Sequence, residues 1–473
     1  MSEILFGLFA LVAALVVVFV IALSIHWGNK RETGLVPYVF YPVLLLIAVT
    51  AILSNRDISG NEILMGMQAV AARHPAGVWL GRLTSLFVIF ACGERILHRL
   101  TSRDKVRPMP MLLFWALLLY FLSNIVSPAL LGRHTDVSHE YLYMFLAGYA
   151  ALLMTQKEVD LSVVSMRNAT LLFLVLSAIV FAWKPNMVIN KNYHGLIPFL
   201  TIRYAGLANH ANSLGPMVVV FLLCLWRKPY AWRPLNLFAW ALGLASLLLA
   251  QSKTNWVACI LCFACIAYFG FREQIKERLF DYRRPQLSII GIFCFILLCT
   301  MGVLVVMFGG LDAKLARFAS SSEGFELLSL TGRDVIWQVA VEEWHKNPLF
   351  GYGLQIWDES FRASIGMPYA THAHSQFYQS LASAGTVGAI GLVVYAAVLL
   401  YASARTAKAS QGLSMALFVL IASRSFSEVP LSLAGFAAEA LTHLLLLIIV
   451  TAYYPVADRQ AVQARRPRVP GMA

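Results

Sequence analysis

Residues 369–402 read YATHAHSQFYQSLASAGTVGAIGLVVYAAVLLYA. From Gln376 to Ala402 this stretch holds no Asp, Glu, Lys or Arg. About 20 consecutive apolar residues cross a bilayer core as a helix, so 376–402 is predicted to span a membrane. A polar His-Ala-His-Ser segment leads directly into it. Similar apolar runs recur near 4–25, 36–53, 82–97, 111–130, 141–154, 169–183, 212–226, 236–250, 255–270, 287–308, 412–427 and 433–453. Helices satisfy their own backbone hydrogen bonds in lipid, so the sequence reads as an all-α polytopic membrane protein. About 12 transmembrane helices (11–13) are expected. The first run is too long for a signal h-region and lacks a basic leader, so it counts as a helix.

Composition agrees. Of 473 residues, 59% are hydrophobic and 13% charged, with a mean hydropathy of +0.70. Soluble domains average about 25% charged residues, so a soluble enzyme, a nucleic-acid-binding domain and a disordered tail are all excluded. The net charge of +13 is read as cytoplasmic loops obeying the positive-inside rule, with membrane lipids rather than nucleic acid as surroundings. The basic segments 98–107, 226–228, 272–284, 405–408 and 465–468 fall on one side when the later helices alternate, which puts the C-terminus inside. The expected organisation is transmembrane helices over 1–308, a large outward loop over 309–375, the last helices over 376–455 and a basic tail over 456–473. Within the loop, Thr331-Gly332-Arg333-Asp334 fits a helix start and Asn347-Pro348 a helix end. All seven cysteines lie in apolar runs, and the Cys259, Cys262, Cys265 spacing is read as packing rather than as a metal site.

Several cations lie on the side that the positive-inside rule leaves poor in them, among them Lys191, Arg203, Lys253 and Arg333. Arg203 stands in an apolar stretch, and Lys253 in a short turn between two membrane helices. A cation in such surroundings is costly unless paired, and no outward acidic residue is an obvious partner for either. A bound anion would satisfy both, and the planar fork of Arg suits phosphate. His372 and His374 close the outward loop where the next helix begins. A helix N-terminus favours neutral imidazole, the form a general base needs. The His-x-His spacing also occurs in metal sites, but no third ligand is near in sequence.

Taken in order, five motifs resemble the O-antigen ligase and polymerase superfamily over about residues 190–400. They are Arg203-Tyr204-Ala205-Gly206 with Asn212, Gln251-Ser252-Lys253, Thr331-Gly332-Arg333-Asp334 with Trp337, Asn347-Pro348-Leu349-Phe350-Gly351-Tyr352-Gly353, and His372-Ala373-His374-Ser375 followed by Gly385 and Gly388. The family usually has Arg where this chain has Lys253, and often Asn where it has Ser375. The resemblance implies a GT-C-like glycosyltransferase of the bacterial inner membrane with a periplasmic active site, working without cofactor or metal ion. It would move undecaprenyl-diphosphate-linked O-antigen to lipid A-core during lipopolysaccharide biosynthesis, inverting the anomeric carbon. Arg203, Lys253, Lys191 and Arg333 would hold the donor diphosphate, and His374, or failing that His372, would be the base. An O-antigen polymerase, a protein O-oligosaccharyltransferase and a lipid-linked-glycan flippase are the competing readings.

Overall fold

The computed structural model describes residues 33–59, 74–101, 109–191, 193, 200–279, 333–368, 370–433 and 438–465, with scattered positions at 18–26 and 289–300. Apart from those scattered positions, the apolar runs at 4–25 and 287–308 lie outside the described residues, as does the first part of the outward loop. In chain order the helices are α1 (Phe40–Leu53), α2 (Pro75–Thr101), α3 (Met111–Phe121), α4 (Ser127–Leu131), α5 (Tyr143–Ala151) and α6 (Gln156–Trp183). A two-strand ribbon follows, β1 (Ile189–Lys191) and β2 (Ile202–Tyr204). Then come α7 (Ala211–Arg227), α8 (Arg233–Leu249), α9 (Lys253–Leu279), α10 (Arg333–Lys346), α11 (Glu359–Ser364), α12 (Gln376–Thr406), α13 (Leu413–Ser425) and α14 (Ala438–Arg465). Seven of the described helical stretches are long and apolar enough to cross a membrane, and α7, α8 and α13 are shorter apolar helices. The chain is an all-α polytopic membrane protein. The predicted loop helix is α10, which ends at Lys346 as the Asn-Pro signal requires, while Thr331 and Gly332 of the start signal lie outside the described residues.

Two boundaries differ from the hydropathy reading, each for a physical reason. The run at 141–154 folds as α5, whose nine residues rise only about 14 Å and cannot cross a bilayer alone. The run at 169–183 belongs to a helix that starts at Gln156, thirteen residues earlier than its apolar part. Charged residues in that first half are paired by distant elements. Glu158 closes a capping box with Thr155, meets buried Arg95 at 2.7 Å and accepts the Gly34 amide at 2.8 Å. Asp160 pairs with Lys228 at 2.7 Å, and the Arg167 guanidinium lies 3.7 Å over the Tyr230 ring. Arg227 reaches Gln411 and, at 3.1 Å, the Tyr453 hydroxyl. The basic connectors at 226–228 and 405–411 therefore gather at one end of the bundle.

At the opposite end α12 is broken. Gly385 adopts φ +64, ψ −159 inside the helix, and the carbonyls freed there are taken by the Asn347–Gly353 segment. The Tyr352 and Gly353 amides donate to Ala382 and Ser383 at 2.8 and 2.9 Å, while Thr386 and Val387 donate to Pro348 and Leu349 at 2.8 and 3.2 Å. A Cβ on Gly385 would stand 2.4 Å from the Leu349 carbonyl, so only glycine permits this approach. Below the break, Gly388 lets α12 press against a π-helical turn at Leu122–Val126, where Asn124 donates to the Gly388 carbonyl at 2.9 Å.

Candidate functional site

The ribbon is antiparallel, with Asn190 opposite Arg203 and Lys191 opposite Ile202. Arg203 is 9% exposed, and its guanidinium lies 4.7 Å over the Tyr193 ring. Its Nε donates to the Ala250 carbonyl at 3.3 Å, and its Nη2 donates to Asn212 Oδ1 at 2.9 Å. Asn212 sits in the first turn of α7, where the His210 ring at the N-cap accepts the Asn212 amide. Ser252, at the entry to α9, donates its hydroxyl to the same Asn212 oxygen at 3.1 Å. Gln251 donates to the Leu200 and Ile202 carbonyls at 3.1 and 2.7 Å, fixing the ribbon over the α8–α9 turn. The first two sequence motifs thus form one hydrogen-bonded unit.

Asn212 also faces the other half of the site. Its Nδ2 lies 3.5 Å from Glu428 Oε1. Glu428 stands on the connector after α13, and its other oxygen is 3.2 Å from His372 Nε2 and 3.6 Å from His374 Nδ1. The His374 amide donates to His372 Nδ1 at 3.1 Å. A neutral His372 must then carry its proton on Nε2, pointed at Glu428. His374 has φ +47, a left-handed conformation that costs a bulky residue on the order of 1–3 kcal/mol. That turn brings its Nδ1 round to the carboxylate, just before Ser375 caps α12. Trp337 of α10 braces the turn, its Nε1 donating to the Ala373 carbonyl at 2.9 Å. Gln376 fastens the Glu428 connector by accepting the Leu431 amide at 2.9 Å.

The electrostatics are unequal across this cluster. Burial, then the neighbouring His374, lowers the His372 pKa to about 4, so the ring is neutral at neutral pH. For Glu428 burial pulls upward, but His374, Arg424 and His372 outweigh it and hold the carboxyl at about 2. Arg424 is 2% exposed and lies 3.7 Å from Glu428. Arg333, at the start of α10, is another positive neighbour, and its own pKa is lowered, mainly by burial.

The predicted residues do not all converge. Arg203 and the His pair, 169 residues apart from Arg203 to His372, are joined through Asn212 and Glu428. Arg333 falls on the histidine side. Lys253 is the exposed first residue of α9, one position from Ser252. Lys191 lies on the face of the ribbon opposite Arg203, since side chains alternate along a strand, and it sits near Asp57. Sequence reasoning found no acidic partner for the cations and passed over Glu428. The available signal was that Glu428 is the only Asp or Glu between residues 376 and 438. Ligand atoms of His372, His374 and Glu428 lie within 4.8 Å of one another, close enough to hold a divalent cation. Arg424 and Arg333 already supply Glu428 with positive charge, which weakens its claim on such an ion.

No curated protein matches the chain. A family model described as O-Antigen ligase matches residues 237–393, a span that takes in the Gln251-Ser252-Lys253 turn, all of α10, the broken part of α12 and both histidines. Membrane glycosyltransferase-like enzymes make up that family, and through residues 237–393 this multi-pass membrane chain carries a domain of the O-antigen ligase superfamily.

Proposed function

We propose that the protein is an O-antigen ligase, transferring a polysaccharide from undecaprenyl diphosphate to lipid A-core in the periplasmic leaflet of the bacterial inner membrane. What supports this reading is the polar chain from Arg203 through Asn212 and Glu428 to His372 and His374. It sets a phosphate-suited cation and a base-suited imidazole at opposite ends of one short network. Arg203 and Lys253 bind the donor diphosphate, with Lys191 and Arg333 contributing longer-range positive charge. Lys253 opposes the positive end of the α9 dipole, and an anion between them relieves that mismatch.

The acceptor hydroxyl oxygen attacks the anomeric carbon as the bond from that carbon to the phosphate oxygen breaks. The bonding pair leaves on the diphosphate, whose growing charge the cations stabilise. The hydroxyl proton passes to His374 Nε2, while Nδ1–H faces Glu428. His372 is less suited to this task, because its Nδ1 already accepts an amide and its Nε2–H already faces Glu428. Diphosphate departs without needing a proton, and attack from the opposite face inverts the anomeric carbon. No metal enters these steps.

Single-turnover transfer by His374→Ala and His372→Ala, with donor binding measured in parallel and EDTA present or absent, tests the assignment. General-base catalysis contributes about 10²- to 10⁴-fold, so His374→Ala should lose about that much while still binding donor. Full activity in both variants overturns the mechanism, and loss of activity in EDTA overturns its metal independence. Transfer to a second lipid-linked glycan in place of lipid A-core assigns the chain to the polymerase branch.

A further inference from the structure

A cleft of about 430 Å³ opens beside the Arg203 ribbon, lined by Asn55, Arg56, Asp57, Trp183, Lys184, Pro185 and Asn186. Its position follows from local chain geometry. Trp183 ends α6, Lys184 and Pro185 turn the chain into β1, and the Ile58 amide bonds the Asn186 carbonyl at 2.9 Å. Arg56 forms the inner wall. Its Nε donates to the Met187 carbonyl at 3.2 Å, and its Nη2 donates to Gly206 and Ala208 at 2.8 and 2.7 Å. The cleft is therefore built onto both sides of the ribbon that presents Arg203, and Asn212 follows only four residues after Ala208.

The lining, with two cations, one carboxylate, two amides and an indole, suits a hydroxyl-rich ligand. The described hydrogen bonds of Arg56 go to backbone carbonyls. Lys184 donates to the Asn55 side chain. Asp57 accepts the Ser59 hydroxyl at 2.6 Å and its amide at 2.9 Å, and those hydrogen bonds hold its carboxyl below the usual range. The Asp57 carboxylate offers an acceptor to a hydroxyl, and Asn55 and Asn186 add planar amides that both donate and accept. Trp183 is 79% exposed and supplies a broad apolar face with a polar edge. Small-ligand sites of about 300–1,000 Å³ combine such faces with a few placed polar groups.

We infer that this cleft is an oligosaccharide subsite, which holds sugars of the donor glycan beyond the one attached to diphosphate. This rests on the ligase reading for its biological ligand, but the binding it asserts is independent of transfer. Trp183 stacks against a sugar's C–H face, and Asp57, Asn55 and Asn186 bond its hydroxyls. The subsite makes the enzyme prefer donors carrying several sugars over donors carrying one.

The test uses the full chain in nanodiscs and neutral oligosaccharides of one to six sugars, released by mild acid from the lipid-linked glycans of the producing cell. Calorimetric binding should strengthen with glycan length, and Trp183→Ala and Asn186→Ala should each weaken binding of the longer chains about tenfold. Trp183→Phe, which keeps a ring, should restore most of it, and matched melting temperatures show that the variants are folded. Length-independent binding, or binding unchanged in both alanine variants, overturns the subsite. So does an outcome in which Trp183→Ala alters only quenching by brominated phospholipid, because Trp183 is then a lipid-interface anchor. If oligosaccharide binding behaves as expected but the wild type moves no glycan from undecaprenyl diphosphate, the subsite stands and the ligase reading fails. If transfer proceeds and binding ignores the cleft, only the subsite falls.

Discussion

Replacing Glu428 with Gln removes one charge and almost no volume. In the native site that charge lies 3.6 Å from His374 Nδ1, where, under the proposed mechanism, it would stabilise the imidazolium formed as the acceptor hydroxyl gives up its proton. At an effective dielectric of about 20, unit charges near this separation attract by about 4 kcal/mol. His374 is 25% exposed and Arg424 opposes part of the carboxylate's charge, so about half of that, roughly 2–3 kcal/mol, should reach the transition state. Each 1.36 kcal/mol is tenfold in rate. Glu428→Gln should therefore slow single-turnover transfer about 10²-fold. Donor affinity should stay within about threefold, since Arg203 and Lys253 are untouched. Glu428→Asp keeps the charge at a longer reach and should recover part of the loss. The assay is quenched-flow transfer from purified donor to lipid A-core in nanodiscs, with melting temperature as a fold control. A Gln variant within threefold of wild-type rate refutes the stabilising role, and a rate loss matched by an equal loss of donor binding moves Glu428 to the donor side.

Arg203→Ala should abolish transfer and Arg203→Lys should retain little, because a point charge cannot reproduce a bidentate phosphate contact, whereas Lys253→Arg should be tolerated; normal ligation by Arg203→Ala would rule that charge out. Gly385→Ala forces a side chain into φ +64 and onto the Leu349 carbonyl, so chemical denaturation should show a loss of about 2–5 kcal/mol; unchanged stability would mean that the helix break is dispensable. His372 is held near pKa 4, below its unfolded value of about 6.5, so its contribution is fully present above pH 6.5 and lost as pH falls through 4. Thermal midpoints should drop across that window, and His372→Gln should flatten the drop; an equal slope in the variant would exclude His372 as the source. Gln338→Cys, exposed on α10, should be labelled from the periplasm on a cysteine-free background, and labelling only from the cytoplasm would sink the proposed orientation.

What the sequence reveals, and what it hides, follows from how far apart the cooperating residues lie. Runs such as 36–53 and 376–402 are legible because lipid selects for local, contiguous apolarity. The end of α10 is legible because the Asn347-Pro348 stop signal directly follows its last residue. The start of α6 is hidden, since Glu158 and Arg167 look like loop residues until Arg95 and Tyr230 arrive from other helices. His372 and His374 stand out by spacing and place. Glu428 does not, because a lone carboxylate on a short connector gains meaning only when the bundle brings it to those imidazoles. Lys191 reads as equivalent to Arg203 until the strand register turns the two to opposite faces.

The exchange of backbone hydrogen bonds at Gly385 limits how this protein can be recombined with its relatives. The carbonyls of α12 and the amides of residues 347–353 complete each other, so neither stretch has a self-sufficient boundary. A chimera joined anywhere between 347 and 388 would pair a break from one parent with a plug from another, leaving buried amides unmatched wherever the two differ by a residue in length. Acceptor preference, if carried by the outward loop, should therefore move between enzymes only as a cassette that includes the histidine turn and the upper half of α12. Loop swaps that stop short of the histidines would be expected to fail in folding before they report anything about specificity.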